Sequence, residues 1–366
     1  MAGDPWPDQL QDVWVNCRLR VPPEQRRAIA LVGAGAIADV AHLPAYTAGG
    51  LEVVGIFDVD SGRAKAVAGR HGVERVYGSL DELLGDPGAE VIDIAIPAAE
   101  QPAVIRRCLD AGRHVLGQKP FAPSPEVALS LAEYAAERGL TLVVNQQLRF
   151  DEGIAAAHRM VELGWLGELT HMSIYVDIWT EWTLWPWMLT TPRLEVMNHS
   201  VHYHDVMRWF LGEPETVYCA SGRTPGQAPL GETRTITTCR YRSGATSLVH
   251  ANHENDRGEG EARFRIDGAR GSIRGTLGLL YDYPSGRPDT LEVFSTVLPT
   301  DGWVPYPVTT RWIPDAFLGP MASLLDAVAT GSLPRTNALD NVETLRVAEA
   351  IYASMEDGEV HRPGSG

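Results

Sequence analysis

Between residues 28 and 146 short apolar runs alternate with segments of helical period. The runs are Ala28-Ile29-Ala30-Leu31-Val32, residues 51–57, residues 91–96, His114-Val115-Leu116 and residues 140–144; residues 61–70, 101–111 and 125–138 supply the helices between them. Strands that are apolar on both faces belong to a parallel sheet covered by helices on each side, so this half predicts an α/β, doubly wound domain. After Phe150 the texture changes. A helix over residues 152–163 is followed by strand candidates between Gly-rich turns as far as residue 297, then by helices near residues 314–329 and 337–355. That order predicts an α+β domain with a mostly antiparallel sheet, the boundary falling near residue 148 and the first 27 residues forming an appendage.

Composition adds exclusions. The chain has 366 residues, 44% hydrophobic and 21% charged, and is long enough for two domains. Its 31 basic against 47 acidic side chains give a net charge of −16, which repels polyphosphate and argues against a nucleic-acid or anionic-membrane partner. Cys17, Cys108, Cys219 and Cys239 are sparse and show no paired spacing, as expected of a cytoplasmic protein. Asp4, Asp8, Asp12 and Glu24 interrupt residues 1–27, which therefore do not read as a secretory leader, and no apolar stretch approaches the length of a membrane span.

Gly33-Ala34-Gly35-Ala36-Ile37-Ala38 follows the first strand and opens a helix, the placement that lets backbone approach a pyrophosphate at a helix N-terminus. The second strand ends at Asp58, whose carboxylate suits a ribose 2′-hydroxyl and repels a 2′-phosphate. These features predict a nicotinamide dinucleotide, NAD in preference to NADP, with Arg63 and Lys65 near enough in sequence to matter to that choice. The fourth run ends in Gly117-Gln118-Lys119-Pro120, where proline cannot extend the strand, so Lys119 overlooks the sheet edge at which cofactor and substrate bind.

Residues 197–206 read as a helix that puts Asn198, His202 and Asp205 on one face and turns His199 and His204 away. Asp205 is thus offered as an orienting partner for His202. A metal reading would join His199, His202 and His204 with Glu195 and Asp205, but one straight helix cannot aim three such histidines at one ion, and no metal is expected. Trp179, Trp182, Trp185 and Trp187 lie beside Glu181 in a segment of neither helical nor strand character. Exposed indoles there suit the apolar face of a glycoside, or equally a subunit interface. Asn145, Gln146, Gln147 and Arg149 follow the last strand of the first domain and are placed to bind a polyol or a cofactor amide. Trp312 and Asp315 mark a further aromatic patch near a helix start.

Taken together in this order, the glycine turn, Asp58-Val59-Asp60, residues 91–97, residues 111–116 leading to Lys119-Pro120, and residues 198–214 resemble the glucose–fructose oxidoreductase, inositol dehydrogenase and rhizopine-catabolism family, Gfo/Idh/MocA. The resemblance implies a Rossmann domain at 28–148 and a substrate and oligomerisation domain with an open-faced sheet at 149–366, behind the extension at 1–27. It implies chemistry at the cleft between them, pyridine-nucleotide oxidoreduction of sugars or cyclitols, and a homo-oligomer, dimer or tetramer. The lysine of the family's E-K-P motif falls on Lys119 and the histidine of its D-x-x-x-H helix on His202, the two catalytic candidates. Cofactor contacts fall on Gly33, Gly35, Ala36, Ile37, Asp58, Pro97, Gln118 and Lys119; substrate contacts on Lys119, Gln146, Arg149, Trp182, Trp185, Asn198 and His202.

Three positions depart from that pattern: Gln118 stands for the usual glutamate, Gln101 for a frequent histidine and Asn198 for the usual aspartate. The expected reaction is reversible oxidation of a secondary hydroxyl on a sugar, a glycoside (at ring position 3 in the narrowest form) or a cyclitol. Two alternatives stay open: an NAD-bound enzyme with no net redox change, which oxidises, eliminates or hydrolyses and re-reduces, and a non-catalytic nucleotide-binding subunit.

Overall fold

The computed structural model describes residues 8–256, 258–281, 283 and 286–364. In chain order they form α1 (Asp8–Asn16), β1 (Ile29–Val32), α2 (Leu43–Ala48), β2 (Val53–Phe57), α3 (Ser61–His71), α4 (Leu80–Leu84), β3 (Val91–Ile94), α5 (Gln101–Asp110), β4 (His114–Gly117), α6 (Pro125–Glu137) and β5 (Leu142–Val144). There follow α7 (Glu152–Glu162), β6 (Leu169–Asp177), α8 (Val201–Leu211), β7 (Pro214–Gly222), β8 (Arg234–Tyr241), β9 (Thr246–Asn252), β10 (Glu261–Gly268), β11 (Gly271–Thr276), β12 (Leu291–Ser295), β13 (Val304–Tyr306), α9 (Leu318–Thr330) and α10 (Ala338–Asp357). Two compact units emerge: Leu19–Gln147 with Ile313–Leu345, and Leu148–Trp312 with the segments up to Arg18 and from Arg346.

The first unit is built on a five-stranded parallel sheet in the order β2-β1-β3-β4-β5. Every residue of β1 and β3 is buried, Asp93 of β3 included, as expected of strands covered on both faces. Leu31 and Ile56 pack with Ala64, Val67 and Ala68 of α3, and truncating such a leucine costs about 2–5 kcal/mol. Asp60 starts α3 by accepting from the N–H groups of Gly62 and Arg63, worth about 1 kcal/mol. The chain returns here near its end: α9 packs on β4 and β5, and the Val144 N–H donates to the Thr336 carbonyl, covering an edge that would otherwise stay open. Local periodicity places α9 only by position in sequence, with the second domain; its tertiary home is with the first sheet.

The second unit carries an eight-stranded sheet ordered β13-β12-β11-β10-β6-β9-β8-β7, antiparallel except where β6 runs parallel to β9. Strict alternation in β8, with Thr235, Ile236 and their neighbours pointing in and out by turns, leaves one face open. The other face is covered, α8 lying on β6 and β9. The expected appendage is partly integrated: α1 packs on α7 with Leu10 and Val13 fully buried. Among the described residues no helix is long and apolar enough to cross a membrane.

Candidate active site

The carboxyl edge of the parallel sheet collects the first group of candidates. β1 lies between β2 and β3, so the strand order reverses there and the edge opens at a switch point. Gly33 has φ +100°, and a Cβ on it would stand 2.4 Å from the Ala95 carbonyl oxygen, so only glycine turns the chain so close to the end of β3. Gly35 is different: a Cβ there would meet no heavy atom within 4 Å, leaving the open approach that a pyrophosphate needs. Ala36 is exposed and Ile37 half-buried at the start of the following helix, and Pro97 is exposed beyond β3.

Asp58 ends β2 as predicted and is nearly buried. Its Oδ2 accepts from the Ala34 N–H at 2.7 Å and its Oδ1 from the Asp60 N–H at 2.8 Å, while Arg63 donates to both oxygens at 3.2 and 2.6 Å. Burial raises the carboxyl pKa, but these bonds outweigh it and hold the group below the ordinary carboxylate value. The turn, the open space at Gly35 and an ionised acid facing the Gly-rich segment fit a dinucleotide with a free 2′-hydroxyl. Gly33, Gly35 and Asp58 would hold it, and it would supply a hydride acceptor.

Lys119 stands two residues past the end of β4, ahead of a cis Pro120. It is half-buried, and burial pushes its ammonium down to about 8. Carboxamides surround its backbone. Gln118 Oε1 accepts from the Lys119 N–H at 2.8 Å, and Gln101 Nε2 donates to the carbonyls of Gln118 and Pro120 at 2.8 and 3.0 Å. Behind them lies a group that sequence reasoning passed over: His42 Nδ1 is 2.7 Å from Asp93 Oδ2, Tyr46 donates to that same oxygen, and Gln118 Nε2 and Asn145 Nδ2 approach His42 Nε2 at 3.1 and 3.3 Å. The signal was an acid in the middle of an apolar strand, Val91-Ile92-Asp93-Ile94, which demands buried partners. Pro44 has no N–H for the Val40 carbonyl, and the helix widens into a π turn over Ala38–His42 just before it. Asn145 is therefore engaged within its own domain, and Gln146 is buried beside it.

In the second unit the predicted helix is real but opens with a π turn, Val196–Ser200, before α8. Asn198 Nδ2 donates to the Leu194 carbonyl at 2.9 Å, a bond that an aspartate could not make. His202 is nearly buried, its ring edge-on to Trp312 at 5.6 Å between centroids. Asp205 is bound by Arg149, which donates Nε and Nη2 to its two oxygens at 2.6 and 2.7 Å with both residues buried. Arg149 thereby ties the start of this unit to α8. His204 is buried, and desolvation pulls its imidazole down to about 4, so it is neutral at physiological pH.

The expectation of exposed indoles holds for Trp179 and Trp187 and fails for Trp182. Trp182 packs with Met188 and Leu194, meets the rings of His199 and His253, and donates Nε1 to Glu254 at 3.0 Å. Trp185 is partly buried against the same cluster and meets Tyr283 edge-on. Glu181 caps its own turn, accepting from the Thr183 N–H and hydroxyl. Glu195 is wholly buried, where Ser200 and Thr235 hydroxyls donate to it. Among the described residues no group of three or more His, Cys, Asp or Glu side chains is arranged to hold a metal ion.

Two family profiles match the chain. One, described as an oxidoreductase family with an NAD-binding Rossmann fold, spans residues 27–146, and the other, the GFO/IDH/MocA C-terminal domain, spans residues 154–274. D-apiose dehydrogenase of Paraburkholderia graminis is 25% identical over 90% of this chain and 88% of its own length. D-xylose 1-dehydrogenase (NADP+) 2 of Haloferax volcanii is 27% identical over 90% of this chain and 97% of its own. The crystal structure of an oxidoreductase from Agrobacterium radiobacter, solved with NAD+, L-tartaric acid and magnesium, superposes with a TM-score of 0.83 at 24% identity, covering 93% of this chain and 99% of that one.

Proposed function

Since this chain belongs to the Gfo/Idh/MocA family of NAD-binding oxidoreductases, we propose that it oxidises a secondary hydroxyl of a sugar, glycoside or cyclitol to the ketone, reversibly and with NAD in preference to NADP. The observation that carries this reading is Lys119 at the carboxyl edge of the sheet that also bears Gly35 and Asp58, with its backbone held on both flanks. The relatives' names, apiose and xylose dehydrogenase, support the substrate class. Asp58 supports NAD even though the xylose-named relative is NADP-linked, because its charge repels a 2′-phosphate. Arg63 is the residue that would soften that preference.

Bound NAD+ supplies the acceptor for the hydride. The side chains manage the hydroxyl proton. An amine brought down to about 8 is part neutral just above pH 7, so Lys119 both stabilises developing alkoxide and takes up a proton. His202 is the second candidate, as base or relay, with Asn198 beside it held to the backbone. We place the substrate's apolar face near Trp185 and the hydroxyl-binding amide at Gln146, and favour ring position 3 of a glycoside as the narrowest form. The exposed Tyr218, Ile236 and Phe294 on the open sheet face support its use as a homo-oligomer contact.

The test is nicotinamide reduction, followed by absorbance, with NAD+ and a panel of free sugars, alkyl and aryl glycosides and inositols, run on the native protein and on Lys119→Ala. A substrate-dependent rise that Lys119→Ala abolishes, with NAD+ still bound, is the expected result. Unchanged turnover in the variant refutes the role of Lys119. No rise across the panel, with NAD released on denaturation, would favour a reaction without net redox change.

A further inference from the structure

We infer that Gln118 is a positioning residue for Lys119, and that the buried Asp93–His42 couple selects a carboxamide over a carboxylate at position 118. The inference rests on the catalytic reading of Lys119. It begins from a group whose role is fixed: the Lys119 backbone N–H can only donate, so the atom facing it at 2.8 Å is Gln118 Oε1. The amide nitrogen of Gln118 therefore faces the other way, 3.1 Å from His42 Nε2, and it too can only donate. His42 Nε2 must then be a bare acceptor, and the ring hydrogen sits on Nδ1, where Asp93 Oδ2 receives it at 2.7 Å together with the Tyr46 hydroxyl. One tautomer satisfies the whole chain of bonds. Asn145 Nδ2 converges on the same acceptor at 3.3 Å, and Phe317 meets the ring edge-on at 5.1 Å. Among these neighbours the titratable groups facing His42 are Asp93 from β3 and Tyr46 from α2; Gln118, Asn145 and Phe317 carry no charge.

A glutamate at 118 would set a carboxylate oxygen against the bare ring nitrogen. That contact becomes attractive only when Nε2 gains a second ring hydrogen, so the hold on Lys119 would come and go with the protonation of His42. Gln118 removes this dependence. Gln101 does the same on the other side, binding the carbonyls that flank Lys119 through an amide that never titrates, where the family pattern often has a histidine. The two departures are one device: the lysine changes charge in the range where it works, while the frame around it does not.

The experiment uses full-length protein with ¹⁵N-labelled histidine, the His42 signal being identified by its loss in His42→Gln. In the native protein Nδ1 carries the hydrogen and Nε2 is bare. In Gln118→Glu, Nε2 is protonated at acid pH and loses its hydrogen as pH rises. Over the same range kcat for a substrate found in the panel drops about ten- to a hundredfold, the cost of a small misplacement at a reacting group. Should Gln118→Glu not fold, Gln118→Met releases the Lys119 N–H without adding charge and is expected to lower kcat with the pH profile unshifted. A protonated Nε2 in the native protein overturns the inference, as does a native-like pH–rate profile in Gln118→Glu or native kcat in Gln118→Met. If Lys119→Ala keeps its turnover, the catalytic reading falls by itself, and the ring tautomer still reports separately on the frame.

Discussion

Replacing Asp289 by asparagine should stabilise this protein at alkaline pH. Asp151 caps α7 through the Gly153 N–H, Asp289 accepts from the Gly278 N–H at 2.5 Å, and both carboxyl groups are buried. Burial raises both, and their direct interaction keeps a proton between them: Asp151 is pushed up to about 6 and Asp289 well above its ordinary value. A folded-state pKa above the unfolded one means stability that is complete below about 3.8 and is lost as pH rises through about 6. At 1.36 kcal/mol per pH unit, the shift of Asp151 amounts to about 3 kcal/mol, roughly half of it lost above pH 5. An asparagine at 289 keeps an acceptor for Gly278 and turns an amide donor toward Asp151, which can then ionise without a like charge beside it. Urea unfolding at pH 5 and pH 8 is the assay. The native protein should lose stability over that interval through this pair, whereas Asp289→Asn should lose little and be the more stable of the two at pH 8. A variant no more stable than native at pH 8, with the same pH slope, would refute the shared proton.

Three other outcomes follow from the site. Asp58→Ser removes two charge-assisted acceptors and frees Arg63, so NAD+ affinity should fall about a hundredfold while NADP+ affinity rises, read by fluorescence titration; equal losses for both would contradict the ribose assignment. Gly35→Ala should leave thermal stability within about 0.5 kcal/mol and weaken NAD+ binding at least tenfold, whereas Gly33→Ala should destabilise the fold itself, as differential scanning will show. Arg149→Met leaves the Asp205 carboxylate buried without its bidentate partner and should cost about 3–5 kcal/mol in urea unfolding; a cost below about 1 would mean that the pair is not structural.

The first domain was readable because its information is local. Five apolar strands and a glycine turn each announce themselves within ten residues, and Asp58 falls where the second strand ends. What stayed hidden depends on contacts distant in sequence. Residues 313–345 return to the first sheet although nothing in their own periodicity says which sheet they will cover. Arg149 and Asp205 are separated by a helix, a strand and a loop, and their pairing could not be read from helical spacing, which saw only the face shared by Asn198, His202 and Asp205. The aromatic run was legible as aromatic but not as folded, since Trp182 finds its core in Met188, Leu194 and His253 and not in its neighbours along the chain. His42 is a lone histidine in a helix, and only Asp93, an acid amid valine and isoleucine, hinted that something waited for it.

The parallel pairing of β6 with β9 has a consequence for synthesis. Its other neighbour, β10, also lies downstream, so β6 emerges from the ribosome before either strand that will flank it. On the order of 70 residues must follow before β9 is complete, a wait of about 4–14 s at ordinary elongation rates. During that time Met172, Ile174 and Val176 belong to a strand with no partner on either edge. The nascent chain is thus most exposed to misassociation in the middle of its translation, and slowing the ribosome between codons 178 and 246 should lower the soluble yield more than slowing it anywhere later.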